Sequence, residues 1–202
     1  MSCVQRTVYT QRAKRVIDII LSLMGLLVTF PLVVVIFLAV RLDSPGPALF
    51  VQRRTGWQGR PFNMLKIRTM RVRTEIERDY AGHRHDPRIT RVGRALRLFR
   101  LDELPQLWNV LKGDMSFIGP RALMEEEVIL FNPEIPYFNL RHTIRPGITG
   151  WAQVNYRHGA TKEDALKKLQ YDLYYLKNMS LILDLHILLR TVRVVLFCKG
   201  AR

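Results

Sequence analysis

Cysteine is nearly missing from this 202-residue chain, which holds only Cys3 and Cys198, near its opposite ends. That excludes a disulfide-stapled scaffold and a cysteine-rich zinc module, and it suits a chain facing a reducing compartment. No Walker-type phosphate loop and no Gly-x-Gly-x-x-Gly turn occurs, so nucleotide binding through either loop has no support. No serine sits in a Gly-x-Ser-x-Gly elbow. His83 and His85 adjoin Asp86, but they lack cysteine partners and the i,i+4 spacing of a helical zinc site. Internal repeats and low-complexity tracts are missing too, and 48% hydrophobic with 24% charged residues excludes a disordered or collagen-like chain. Acid is scarce against base: 17 Asp and Glu face 32 Lys and Arg, a formal charge of +15. Such a surplus draws polyanions, of which nucleic acid, an anionic membrane surface and phosphorylated small molecules are the candidates.

Apolar residues are abundant, and they are concentrated. Ile19 to Val40 is a run of 22 residues without a charge, about 33 Å as a straight helix and so long enough for a bilayer core. It is too long for the apolar region of a signal peptide, and no small-x-small cleavage site follows it. Pro31 lies near its middle, where it removes the N–H that would bond the Leu27 carbonyl. Residues 1–18 carry Arg6, Arg12, Lys14 and Arg15, and residues 41–60 carry Arg41, Arg53, Arg54 and Arg60, so the positive-inside rule favours neither orientation. Two readings stay open on charge alone. One is a Pro-kinked spanning helix. The other is a helix–break–helix hairpin with arms Ile19–Phe30 and Pro31–Val40, about 18 and 15 Å long, that enters and leaves by one leaflet. In the second, Thr29 helps to satisfy the freed backbone.

Asp43-Ser44-Pro45-Gly46-Pro47 is a turn cluster that divides the chain into an anchor, residues 1–43, and a globular part, residues 44–202. Ala48–Arg53 and Phe62–Met70 read as two short strands of a hairpin. A basic helix is expected from Arg91 to Phe99, then a helix with Asp102 as N-cap, Pro105 in its first turn and Gly113 at its end. Pro120 should open another helix through Phe131, and Gly147 and Gly150 mark a loop. Thr161 and Asp164 form a capping box for a helix to about Lys177, and Ser180 caps a last helix from Leu181 to about Phe197. This last helix belongs either in the core or in the membrane interface. The class is α+β, mainly helical.

Asp102 and Glu103 are adjacent carboxylates between a basic stretch (Arg91, Arg94, Arg97, Arg100) and an apolar helix. At a helix N-terminus a carboxylate stays charged, available as nucleophile or metal ligand, and hard oxygen ligands beside phosphate suit Mg²⁺. The plain alternative is a cap and its first-turn neighbour. Arg97, Arg121 after Gly119-Pro120, and Arg145 in Arg145-Pro146-Gly147 are placed to clamp phosphate. Lys66 and Arg68 share one face of a strand, facing either a phosphate or water.

Taken together, these strings resemble the catalytic core of the bacterial sugar transferases, the monotopic phosphoglycosyl transferases, over nearly the whole chain from Lys14. The marks are Lys14-Arg15-x-x-Asp18, Lys66-Ile67-Arg68-Thr69-Met70, the long string Leu101-Asp102-Glu103-Leu104-Pro105-Gln106-Leu107-Trp108-Asn109 through Ser116, Gly119-Pro120-Arg121, and Arg145 through Val154. The resemblance implies a re-entrant anchor in the cytoplasmic leaflet of the bacterial inner membrane. It implies transfer of a phospho-sugar from a UDP-sugar to undecaprenyl phosphate, with UMP released, Mg²⁺ required and no nucleic acid involved. Asp102 would match the nucleophile that forms an aspartyl phospho-sugar, and Glu103 its partner, the two also serving the metal. Arg97 and Arg121 would match phosphate-binding positions, and Arg145 the donor pocket. The chain departs from the family in having Phe30-Pro31 in place of Ser-Pro and Pro120-Arg121-Ala122 in place of Pro-Arg-Pro. The rival to enzyme function is a membrane-tethered basic module that binds anionic lipid or nucleic acid. A third reading is an enzyme without the covalent step, in which Asp102 only holds metal.

Overall fold

A computed structural model of the chain describes residues 12–71, 86–156, 159 and 161–196. Cys3, Cys198, His83, His85 and the expected helix end at Phe197 lie outside the described residues. The uncharged run forms one helix, α1 (Lys14–Asp43), which continues through Pro31. The expected interruption of the helix at Pro31 is not seen: the 30 residues keep helical backbone throughout. A proline removes one ladder bond and crowds one carbonyl, which a long helix tolerates when every neighbouring turn is intact. Thr29 does not serve the Leu27 carbonyl; its Oγ1 donates to Gly25 O at 2.6 Å.

The polar start of α1 is bolted to the rest of the molecule. Lys14 Nζ reaches Asp184 Oδ2 at 2.5 Å, and Arg15 donates to Val110 O at 2.5 Å and Leu111 O at 2.7 Å. Asp18 Oδ1 accepts from Ser116 Oγ and Phe117 N, each at 3.1 Å. At the other end Ile36 and Val40 share a core with Ala48, Ile67 and Leu96, and Asp43 Oδ2 accepts from Val92 N at 3.0 Å.

Strands β1 (Leu49–Thr55) and β2 (Pro61–Ile67) form the expected antiparallel hairpin, in register Leu49 with Ile67 and Thr55 with Pro61. Helix α2 (Arg91–Leu98) starts at Thr90, whose Oγ1 accepts from Gly93 N at 2.9 Å. Gly93 is required there, since a Cβ would lie 2.1 Å from Thr69 O. Arg100 adopts a left-handed conformation (φ 55°) and leads into a single 3-10 turn, Leu101–Glu103. Helix α3 (Gln106–Lys112) follows, with Pro105 at its N-cap position, and ends at Gly113 with φ 100°. Asp102 is thus not the cap of α3: the irregular turn set off by Arg100 places it four residues ahead of the helix.

Further along, β3 (Ser116–Ile118) pairs in parallel with β4 (Gly147–Thr149), so the stretch read as a loop is partly a strand. Residues 121–124 are extended, with Arg121 bridging Gly147 and Leu123 bridging Thr55, and α4 spans Glu125–Phe131 rather than starting at Pro120. A 3-10 segment (Phe138–Thr143) and the short α5 (Trp151–Asn155) are additions to the expected elements. Helix α6 (Lys162–Asn178) opens on the expected Thr161–Asp164 box, and α7 (Leu181–Leu196) follows Ser180, whose Oγ accepts from Leu183 N at 3.2 Å. The result is mainly helical with two small sheets, as expected for the class. Val110 and Ile187, each 0% exposed, anchor two of its apolar clusters. Full burial of such a side chain contributes about 1.5–3 kcal/mol.

Candidate active site

The hairpin, the Arg100–Pro105 turn, the start of α3 and the β3–β4 pair converge on a shallow, open pocket. Its polar lining is Lys66, Glu103, Gln106 and Arg121, and its walls are Met64, Met115, Ala122, Gly147 and Ile148. Alternation along β2 directs Lys66 inward beside Met64. The turn after Arg100 delivers Glu103, and the extended stretch held against Gly147 delivers Arg121. Gly147 must lack a side chain, because a Cβ would lie 2.1 Å from Gly119 N.

Lys66 Nζ lies 3.5 Å from Glu103 Oε1, and Arg100 Nη1 lies 3.8 Å from the same oxygen. Burial pushes the Lys66 ammonium down, and Arg121 and Arg54 add to this while Glu103 resists it. Burial also raises Asp102, reinforced by the neighbouring Glu103 charge and opposed by Lys66 and Arg97. Glu103 goes the other way. Burial alone would raise it, but Lys66, Arg121 and Arg100 together outweigh burial and hold it below its ordinary value. Two adjacent carboxyls are thereby pushed apart, an arrangement that gives each a separate role.

Of the residues singled out in the sequence, Lys66, Glu103 and Arg121 meet in the pocket, and Asp102 adjoins them without lining it. Arg97 acts on Asp102 by charge while its Nε donates to Thr69 Oγ1 at 2.9 Å. Arg68 is not brought to the pocket. Strand β2 ends at Ile67, and the buried Arg68 guanidinium donates to Pro45 O and Ser44 O, both at 2.6 Å, and to Ser44 Oγ at 3.0 Å. Nor does Arg145 line it: its Nε donates to Gly113 O at 2.8 Å and its guanidinium lies 4.6 Å from the centroid of the Trp57 ring. Both arginines are spent on the chain itself.

Sequence reading missed one residue of the pocket, Gln106, and one buried cation whose charge is felt there, Arg54. Arg54 is buried, donates to Gln52 Oε1 at 2.7 Å, and is lowered by burial and by Arg121. Its position two residues after Gln52 on a strand was the available signal. Gln106 lines the pocket from the first turn of α3. Among the described residues no three His, Cys, Asp or Glu side chains converge on a point. A divalent cation here would rest on Asp102 and Glu103, and two carboxylates beside phosphate oxygens are a donor set that fits Mg²⁺.

Comparison with known proteins bears on this constellation. A protein from Aeromonas hydrophila, named UDP-N-acetylgalactosamine-undecaprenyl-phosphate N-acetylgalactosaminephosphotransferase, is 43% identical over 94% of this chain and 45% of its own length. A UDP-glucose:undecaprenyl-phosphate glucose-1-phosphate transferase from Caulobacter vibrioides is 43% identical over 93% of this chain and 71% of its own. The exopolysaccharide production protein PSS of Rhizobium leguminosarum is 40% identical over 89% of this chain and 92% of its own. The chain spans less than half the length of several curated relatives that it matches. Residues 9–198 match the family described as bacterial sugar transferase, and the chain belongs to that family.

Proposed function

We propose that the chain transfers a phospho-sugar from a UDP-sugar to undecaprenyl phosphate through a covalent intermediate on Asp102. The carrying observation is the convergence of Lys66 and Arg121 on Glu103, with Asp102 adjoining. Two cations suit the charge of a diphosphate, and the carboxylate beside them supplies a nucleophile. An Asp102 oxygen attacks the β-phosphorus, the bond to the bridging oxygen breaks, and UMP departs with that oxygen. A phosphate oxygen of the lipid then attacks the same phosphorus and releases the Asp102 carboxylate. Arg97 steadies the Asp102 anion by charge, and Arg121 and Lys66 orient the donor. Mg²⁺ held by Asp102 and Glu103 would neutralise diphosphate charge. The relatives' names, which specify UDP-sugar donors and undecaprenyl phosphate, support this reading.

The same proposal places residues 1–43 as the membrane segment and residues 44–202 as the catalytic body on the cytoplasmic face of the inner membrane. One helix among the described residues, α1, is long and apolar enough to cross a membrane, and most of its apolar stretch is not buried in the protein. The test of the chemistry is UMP release by the full chain from a panel of UDP-sugars with undecaprenyl phosphate and Mg²⁺. Asp102→Asn should lower turnover by at least about 10³-fold while keeping its melting temperature, in line with loss of a nucleophile. Protein quenched during turnover should gain the mass of one phospho-sugar at Asp102. Wild-type turnover in the variant would refute the assignment. Product accumulation with no adduct would leave the ternary-complex route.

A further inference from the structure

Among the described residues that line the pocket, Gln106 is the one polar group that the proposed chemistry leaves unused. The residue is 3% exposed, and it lines the pocket beside Glu103 and Lys66. The carboxamide forms no hydrogen bond to any described residue, although Asn109, one turn further along α3, satisfies its own amide with Asn63 O at 2.7 Å and Leu65 N at 3.0 Å. Nor are its amide atoms sealed off in the interior, as those of Gln153 Oε1 or His142 Nε2 are. A buried amide that stays unpaired is costly to the fold, so one on a residue that lines a pocket calls for a partner that enters it.

The chemistry of the neighbours narrows what that is. Lys66 and Arg121 only donate, and Glu103 as a carboxylate only accepts. Gln106 alone presents a neutral donor and acceptor side by side. Phosphoryl oxygens only accept, so a phosphate at this position would leave the Gln106 Oε1 without a partner. A sugar hydroxyl both donates and accepts, and so satisfies both halves of the amide. We infer that Gln106 is a specificity-determining residue that hydrogen-bonds a hydroxyl of the donor's sugar, with the flexible Met64 and Met115 flanking the ring. This rests on the reading that the pocket takes a UDP-sugar.

The test uses the full chain with Gln106→Leu and the unbranched Gln106→Met. First, the UDP-sugar that the wild type turns over is identified, together with its monodeoxy analogues. If the wild type releases no UMP from any UDP-sugar, the underlying reading fails, and this is known before a variant is made. Given turnover, both variants should keep or raise the melting temperature, because an unpaired buried amide is replaced by an apolar group. Affinity for UDP itself should stay within about twofold, while kcat/KM for the parent sugar falls about tenfold to a hundredfold. For one deoxy analogue, wild type and variants should react at equal rates, since the hydroxyl that Gln106 reads is gone. The inference is overturned if the variants retain the parent kcat/KM, or if UDP affinity falls as far as turnover. It is equally overturned if no analogue closes the gap, or if both variants melt well below the wild type.

Discussion

His142 is shut away from water in the 3-10 segment with its Nε2 unpartnered, and burial, with the charge of Arg141 next, lowers it from 6.5 to about 4. Between pH 6.5 and 4 the unfolded chain therefore binds a proton that the folded one refuses, and stability is lost as pH falls through that window. Asp172 does the reverse. Burial raises it from 3.8 to about 6 in spite of Arg141, whose Nη2 lies 2.9 Å away, and Lys168, so its contribution is lost as pH rises toward 6. The two slopes oppose each other between pH 4 and 6. Replacing His142→Gln should raise the variant's melting temperature relative to wild type as pH drops from 6.5 to 4. Asp172→Asn should gain relative to wild type as pH climbs from 4 to 6, whatever its absolute stability. Parallel melting curves at all pH values would contradict both assignments. At this scale the sequence showed which residue types were present, but not always their direction. Lys66 and Arg68 share a face by strand alternation, yet the strand stops between them, and only Lys66 reaches the pocket.

Elements were legible where a local signal defines them. Gly113 ends α3 through a left-handed conformation, and the Thr161–Asp164 box opens α6, both as read from residue type alone. The β3–β4 pair was not legible, because two three-residue strands paired in parallel across the chain carry no period. The helix start at Pro120 was misread for a related reason: a proline permits an extended segment as readily as a first helical turn, and pairing with Gly147 decided for the former. The clearest dependence between elements is Arg15, which completes the C-terminal carbonyls of α3 from the start of α1. Helix α3 begins just past Glu103, so its seating positions the carboxylate pair. Arg15→Gln should destabilise the fold by about 1.5–3 kcal/mol, the range for hydrogen bonds to a charged group. Arg15→Lys should recover only part, since one ammonium does not match a fork across two carbonyls. Urea unfolding of the three proteins checks the order; an Arg15→Gln midpoint equal to wild type would dismiss the linkage.

For the molecule as a whole, the question is on which side of the bilayer the two ends of α1 lie. A helix of 30 residues is about 45 Å long, against a hydrocarbon core of about 30 Å, so length permits crossing. The attachments argue against it. The start of α1 is held by α3, β3 and α7 through Lys14, Arg15 and Asp18, its middle meets α3 where Gly25 packs on Leu107, and its end joins α2 and the hairpin. A crossing would draw α3 and the charged groups around it toward hydrocarbon, which is costly and which the proposed one-leaflet placement avoids. Lying against the body instead, α1 turns Leu27 and Val28 outward, 78% and 76% exposed, and α7 turns out Ile182 at 82%. These surfaces suit one leaflet, and basic residues at both ends of α1 then meet anionic lipid on one side. With Cys3 and Cys198 replaced by serine, single cysteines at Arg12 and Arg41 should react with a membrane-impermeant maleimide in inverted vesicles. Neither should react in intact cells, and a cysteine at Val28 should react in neither. Labelling of one flank from the periplasm would require α1 to leave the body it is bonded to, and the one-leaflet arrangement would fall with it.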